Sequence, residues 1–196
     1  MDTGAVANSD YYIFAIARTD TGVVDYLCSL SSTAPDTTLV PDYNRMRLIG
    51  WYKRAGGTVV AFLTFETTGG GLNFIWVVPT TDVSVANGLT TTERTDAVRV
   101  PLNVSTIAHV QGGFADNGVA IVRGWLYTPG QTAAAPGNNA APMHNMSQIT
   151  NTTVINFSRS MYVRTSATGT LAAICTVATA DLYVLSTMGF EWSRRP

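Results

Sequence analysis

Histidine and cysteine, the side chains that most often bind transition metals, are rare in this sequence. It has two histidines: His109 lies in an apolar-flanked stretch and His144 in a long polar segment. Neither lies at a recognised ligand spacing from another histidine, a cysteine or a carboxylate. The sequence therefore predicts no metal site, and nothing in it indicates another cofactor.

Motifs for covalent catalysis and for phosphate binding are also missing. No Gly-x-Ser-x-Gly turn is present to expose a serine nucleophile. Residues 69–71 are glycines without the Gly-Lys-Ser/Thr ending of a phosphate-binding loop, so a hairpin turn is the preferred interpretation. Spacing alone leaves a Ser-His-Asp triad open, because triads are assembled in space. We predict no catalytic residues and no enzyme activity.

Carboxylate pairs are the remaining route to catalysis, because glycoside hydrolysis uses two carboxyl groups held about 5 to 9.5 Å apart. β-Proteins commonly place such pairs at turns, where capping is their usual role. We therefore prefer turn capping to a polysaccharide-degrading site for each pair. The pairs are Asp20 with Asp25, Asp36 with Asp42, and Glu93 with Asp96.

Four aromatic residues adjoin predicted turns and are the candidate ligand-binding residues of the sequence. They are Trp51, Tyr52, Trp125 and Tyr127. Exposed rings could lie flat against sugars, whereas rings in the strands of a large sandwich usually pack in the core. Packing is the preferred interpretation, and sugar binding is the alternative.

The first third of the chain predicts four short strands. Arg18-Thr-Asp-Thr-Gly22 is a turn signal, because glycine adopts the positive φ that tight turns require. Pro35 interrupts the ladder, since it lacks an amide hydrogen. We expect a four-stranded meander with strands at residues 11–17, 23–30, 46–52 and 59–66.

The rest of the chain continues with strand signals and no helix signal. The predicted strands are residues 72–78, 97–104, 118–127, 149–164 (two strands, broken near 158–160), 170–178 and 181–192. Apolar runs of strand length, bounded by Gly, Pro and Asp, predict an all-β fold. We expect an antiparallel β-sandwich of jelly-roll type.

Residues 128–145 offer almost nothing to bury and predict a long surface loop. We expect one sandwich domain over residues 1–196, with a possible division into 1–127 and 146–196. Cys28 and Cys175 lie in apolar strand-like runs, which favours free buried thiols and leaves their pairing open. The N-terminus lacks the pattern of a signal peptide, so we expect synthesis in the cytoplasm.

The charge content of the sequence indicates which kinds of partner the protein can bind. Charged residues make up 13% of the chain, the net charge is −1, and Lys53 is the single lysine. A chain without a basic stripe is not expected to bind nucleic acid, and no apolar run approaches the roughly 20 residues that cross a bilayer. Scarcity of charge favours association with other protein surfaces.

An ordered set of motifs spans residues 11–62. An aromatic-rich strand is followed by Thr-Gly-x-Val-Asp, Pro-x-Tyr, Arg-x-Ile-Gly and a closing apolar strand. This order and spacing resemble a module of bacteriophage virion proteins of the tail-fibre, neck-appendage and head-spike type. The motif positions are Tyr12, Phe14, Ile16, Thr21, Gly22, Val24, Asp25, Ser29, Pro35, Pro41, Tyr43, Arg47, Ile49, Gly50, Val60 and Phe62.

The resemblance implies a viral structural protein, located in the virion and made in the host cytoplasm. It implies a non-enzymatic fibre, spike or appendage component that forms a homo-oligomer, with a trimer favoured, and contacts other virion proteins. The alternative is a module that binds a host cell-surface glycan for host attachment; a polysaccharide depolymerase is less favoured. Asp25 and Arg47 occupy motif positions in strands expected to be neighbours, and we predict a structural ion pair between them.

Overall fold

Strand signals dominate the sequence, and the computed structural model confirms an all-β chain. It describes residues 6–38, 40–68, 70–115, 122–131, 145–149, 157–176 and 180–193, and none of these lies in a helix. The 13 strands are β1 Asp10–Ala17, β2 Val24–Ser29, β3 Arg45–Ala55, β4 Thr58–Val59, β5 Phe62–Glu66, β6 Leu72–Leu89, β7 Arg94–Ala97, β8 Ile107–Ala115, β9 Val122–Tyr127, β10 Asn145–Ile149, β11 Phe157–Arg164, β12 Thr170–Cys175 and β13 Ala180–Trp192.

The chain separates into two compact units. The first unit comprises the described residues up to Ala61 together with Pro101–Asn103, and the second comprises those of Phe62–Val100 and Val104–Ser193. The division falls near residue 61, not at the segment 128–145 that the sequence singles out. Folding as one domain stays a prediction.

The first unit contains a four-stranded antiparallel sheet in the order β2-β1-β3-β4. Alternation along β1 buries Tyr12, Phe14 and Ile16 on one side. The β1–β2 hairpin closes as predicted, with Gly22 at φ 70° and the Arg18 amide donating to the Val23 carbonyl over 2.9 Å.

The predicted meander is wrong, because β1 lies between β2 and β3. The long segment from residue 30 to 44 carries the chain from β2 past β1, a route that a tight hairpin loop would not allow. The predicted strand 59–66 is also divided. Its first part belongs to β4, and its second part, β5, pairs with β6 in the second unit.

The second unit is an antiparallel β-sandwich. One sheet has five strands in the order β11-β8-β13-β6-β5, and the other has four in the order β10-β9-β12-β7. Arg94 of the smaller sheet lies over the Tyr183 ring of the larger one, 5.3 Å from its centroid. The sandwich prediction is confirmed, whereas the jelly-roll topology stays a prediction. Large buried side chains of this unit include Phe74, Trp76, Leu89, Phe114, Leu126, Leu171, Tyr183, Leu185 and Phe190.

The backbone around two prolines differs from the sequence prediction. Strand β6 does not end before Pro79 but runs on to Leu89. Ile75 and Thr80 pair with Gly189 and Thr187, so the residues between them bulge out of the ladder and Pro79 needs no ladder hydrogen bond. The predicted strand 97–104 is wrong, since β7 ends at Ala97 and Pro101 follows in irregular backbone.

Two further strand predictions fail in the second unit. No break occurs near residues 158–160, because β11 pairs continuously with β8 from Phe157 to Arg164. Strand β8 itself was not predicted. Residues 118–121 and 132–144, which include part of a predicted strand and most of the predicted loop, lie outside the described residues.

Candidate functional site

The four aromatic candidates from the sequence do not form a binding surface. Trp51, Trp125 and Tyr127 are buried, with relative exposures of 1%, 5% and 1%. Tyr52 is partly buried and stacks on Tyr11, with ring centroids 5.1 Å apart and planes 15° apart. The packing interpretation is confirmed for the three buried residues.

Tyr127 has a structural partner. Its hydroxyl donates a hydrogen bond to the Glu93 carboxylate over 2.6 Å. Burial, followed by this hydrogen bond, raises the pKa of Tyr127 above its ordinary value. The Tyr127 side chain packs with Trp125, Ala172 and Ile174 in the sandwich core. Glu93 therefore anchors a core tyrosine.

Asp96 forms a buried ion pair. It is 7% exposed and accepts two hydrogen bonds from the Arg94 guanidinium, one of them 2.8 Å long. The same guanidinium donates to the Gly88 carbonyl and lies over Tyr183. This cluster links the two sheets of the sandwich, so the Glu93 and Asp96 pair serves the fold.

Asp20, Asp36 and Asp42 of the first unit lie outside its strands, as predicted for turn-capping residues, whereas Asp25 lies within β2. Asp20 accepts hydrogen bonds from the Arg18 side chain and from the Thr21 amide, and the Arg18 hydrogen bond lowers the pKa of Asp20 to about 2. Asp42 pairs with Arg18 over 3.1 Å. Asp36 accepts the Thr38 amide hydrogen over 2.8 Å. Turn stabilisation accounts for these carboxylates.

The predicted ion pair between Asp25 and Arg47 is wrong. Asp25 is opposite Ile16 and Arg47 is opposite Ala15, so the two side chains lie on different flanks of β1 and on opposite faces of the sheet. Asp25 instead accepts the Tyr26 amide hydrogen over 2.7 Å. Gly50 leaves room for Ile13, since a Cβ there would lie 3.2 Å from the Ile13 Cδ1 atom.

The most developed polar surface lies on the five-stranded sheet of the second unit. Strands β8 and β11 pair so that His109 is opposite Tyr162 and Gln111 is opposite Ser160. The rings of His109 and Tyr162 stack with centroids 4.5 Å apart and planes 9° apart. The His109 Nε2 atom lies 2.6 Å from the Ser160 Oγ atom. We call His109, Gln111, Ser160 and Tyr162 the polar platform.

Strand alternation positions this platform. Ala108 and Val110 of β8, and Met161 and Val163 of β11, are buried toward the sandwich core. Their neighbours in sequence must point the other way, toward solvent. Tyr162 is accordingly 53% exposed. The core residues thus fix the register that brings the platform side chains together.

Gly189 continues the row that Tyr162 and His109 begin. It lies opposite His109 on one side and opposite Ile75 on the other. A Cβ at this position would come within 2.1 Å of the Phe74 carbonyl oxygen, so the close backbone approach requires glycine. Because glycine has no side chain, the sheet surface between His109 and Ile75 is left uncovered at Gly189.

His109 is suited to hydrogen bonding because its neutral form is favoured. Burial lowers the pKa of His109 below its ordinary value of 6.5, which favours the neutral imidazole at neutral pH. A neutral imidazole both donates and accepts, and so does the Ser160 hydroxyl. In the described part of the chain no carboxylate forms a hydrogen bond or ion pair with His109. Among the described residues, then, no acid orients this pair as the aspartate of a catalytic triad would.

Metal-ligating side chains are scattered in the described part of the chain. No cluster of three or more His, Cys, Asp or Glu side chains there has a metal-binding arrangement. No disulfide joins the two cysteines, of which Cys175 is buried and Cys28 is partly buried.

The described residues include no helix with the length and apolar character needed to cross a membrane.

Neither a protein-family model nor a curated protein matches this chain.

The platform was not predicted from the sequence. The sequence raises His109 as a possible metal ligand and leaves a Ser-His-Asp triad open, but it assigns no binding role to Tyr162 or Ser160. A signal is present in the alternation of Ile107, His109 and Gln111 with buried residues. The pairing with Tyr162 depends on the register of two strands about fifty residues apart in sequence, which local patterns do not specify.

Proposed function

We propose that this protein is a non-enzymatic structural component of a bacteriophage virion. It acts as a fibre, spike or appendage protein and assembles as a homo-oligomer. The motif order of residues 11–62 supports the virion setting. A trimer is the favoured state, by likeness to fibre proteins.

The observation that carries the assembly proposal is the apolar edge of the first unit. Strand β2 ends the sheet order among the described residues, and it exposes Val24 and Tyr26 by 62% and 68%. Val23, just before the strand, is also exposed. Exposed apolar side chains on an edge strand favour pairing with another protein surface.

The neighbouring strand places small side chains beside this edge. Val24 is opposite Ala17 and Tyr26 is opposite Ala15, and Arg45 and Arg47 lie opposite the same alanines on β3. The apolar strip beside β2 offers area that a second copy can bury. The low charge content of the chain, 13%, also favours association between copies.

The absence of enzyme activity is part of the proposal. Every acidic pair considered for glycoside hydrolysis includes residues engaged in turns, core anchoring or ion pairs. Such engagements account for the carboxylates without a substrate.

Immunogold labelling of purified phage particles with antibodies raised against this chain tests the location. We expect labels at one defined position on intact particles, at a tail, neck or head vertex. Labelling confined to infected-cell lysate, with bare particles, would contradict the virion assignment.

A second candidate function is attachment to a host cell-surface glycan. The polar platform favours it, because an exposed stacked ring pair beside hydroxyl and amide groups is not required by the sandwich core. Structural and attachment functions are compatible in one virion protein.

A further inference from the structure

We infer that the polar platform of β8 and β11 is a binding site for a neutral saccharide. The inference rests on the second candidate function above and names its residues and ligand class. Tyr162 and His109 supply ring surface, and Ser160 and Gln111 supply hydrogen-bonding groups.

The stacked rings of Tyr162 and His109 offer an aromatic surface that is complementary to the face of a sugar ring. A pyranose ring has faces of C–H groups, whose partial positive charge suits the negative face of an aromatic ring. Tyr162 is 53% exposed although its ring is already ordered by the stack with His109. Binding to a ring that is already held in place costs less conformational entropy than ordering a free one.

Polar groups lie beside the ring stack on the same face of the sheet. Ser160 and Gln111 are exposed and opposite each other, and Gln111 is opposite Ser186 on β13. Ser186 in turn contacts the Thr81 hydroxyl. A row of hydroxyl and amide groups that both donate and accept suits vicinal sugar hydroxyls.

Charge in the adjacent row favours a neutral ligand over an anionic one. Arg164 lies opposite Ile107 on one flank of β8, and Glu191 lies opposite Ile107 on the other. Because a positive and a negative side chain border the same surface, the electrostatic potential there favours neither an anionic nor a cationic ligand.

The hydrogen bond between Ser160 and His109 also raises the question of a serine nucleophile. Strand β8 is paired with β11 on one side and β13 on the other, so its backbone amides are committed to ladders. An oxyanion hole needs donors aimed at the substrate, and β8 offers none from its paired backbone. The paired backbone of β8 therefore supplies no oxyanion donor beside Ser160, and the labelling experiment below tests the nucleophile directly.

Saturation-transfer-difference NMR tests the site on the full chain. The probes are neutral di- to tetrasaccharides of glucose, galactose and N-acetylglucosamine, with sialylated and uronate-containing analogues as anionic comparators. We expect transfer to ring C–H protons of a neutral saccharide, and Tyr162→Ala to weaken that binding by at least about tenfold. Tyr162→Phe, which keeps the ring, should retain most of the affinity.

Phe65→Ala is the matched control, because Phe65 is an aromatic residue 51% exposed on β5, the opposite edge strand of the same sheet. It should leave saccharide binding unchanged. Gln111→Ala provides a second platform variant and should weaken binding even if Tyr162→Ala fails to fold. Equal losses in Phe65→Ala and Tyr162→Ala, or no binding of any neutral saccharide, would overturn the inference.

Two readouts separate the remaining outcomes. Labelling of Ser160 by a fluorophosphonate probe, abolished by His109→Ala, would overturn binding in favour of a nucleophile. Light scattering on the same samples reports assembly independently. An assembled chain that binds no saccharide contradicts this inference alone, whereas a monomer that binds saccharide contradicts only the assembly proposal.

Discussion

Tyr26 and Tyr162 are both exposed tyrosines on edge strands, yet their surroundings differ. Tyr26 lies opposite Ala15 on an edge strand with exposed Val24 beside it. Tyr162 stacks on His109 beside the Ser160 hydroxyl. The same residue type thus stands on a surface suited to protein association in one unit and to a small polar ligand in the other. Surroundings, more than exposure, indicate the role of a surface aromatic residue.

The largest expected effect concerns the apolar edge of β2. The double change Val24→Asp with Tyr26→Lys places charges where two copies would meet, and we expect the oligomer to dissociate to monomers. Val78→Lys is the control, because Val78 is 72% exposed but lies in the second unit. Size-exclusion chromatography with light scattering provides the measurement, and an intact oligomer in the double variant would break the comparison.

The two surfaces also contain glycines with different constraints. Gly189→Ala places a Cβ 2.1 Å from the Phe74 carbonyl oxygen, so backbone must move, and we expect a loss of about 3 kcal/mol in unfolding free energy. Gly50→Ala meets the flexible end of Ile13 at 3.2 Å and should cost less than about 1 kcal/mol. Urea denaturation measures both, and equal losses would contradict the packing described here.

Each unit contains an Arg–Asp ion pair, and the two pairs differ in how deeply the aspartate is buried. Asp96→Ala leaves the Arg94 guanidinium without its carboxylate in a mostly buried cluster, and we expect destabilisation of about 2 to 4 kcal/mol. Asp20→Ala removes an exposed partner of Arg18 and should leave the denaturation midpoint nearly unchanged. A larger shift for Asp20→Ala than for Asp96→Ala would reverse the assignment.

The smallest expected effect is the pH response of His109. Because its pKa is lower in the folded chain than the ordinary 6.5, the unfolded chain takes up this proton first on acidification. The contribution to stability is therefore complete above pH 6.5 and is lost as the pH falls through the folded-state pKa. NMR titration of the His109 ring should give a midpoint below 6.5, and the stability change from pH 7 to pH 5 should be smaller in His109→Gln.

Local sequence patterns predict the strands better than the way they associate. The alternation in β1, the Gly22 turn and the apolar run of β13 were all readable, because each depends on neighbouring residues. The failure at Asp25 and Arg47 comes from strand order, since a long connection allows β3 to pair with β1 instead of β2. Pro79 misled the prediction because a bulge removes the need for its missing amide hydrogen.

The candidate site was harder to predict than the fold. Trp51, Trp125 and Tyr127 have the composition of a sugar-binding surface but are buried by the packing of whole sheets. His109 and Tyr162 have no distinctive spacing and meet only through the register of β8 and β11. Register is fixed by the buried face of a strand, so a polar site on the opposite face follows from the core and not from its own motif.

The native mass of the wild-type chain is the most direct test of the central claim that this protein assembles through its own surfaces. Native mass spectrometry and light scattering over a wide concentration range should give a mass well above the 20.9 kDa of one chain, nearest to three copies. A mass of one chain at every concentration would contradict the account.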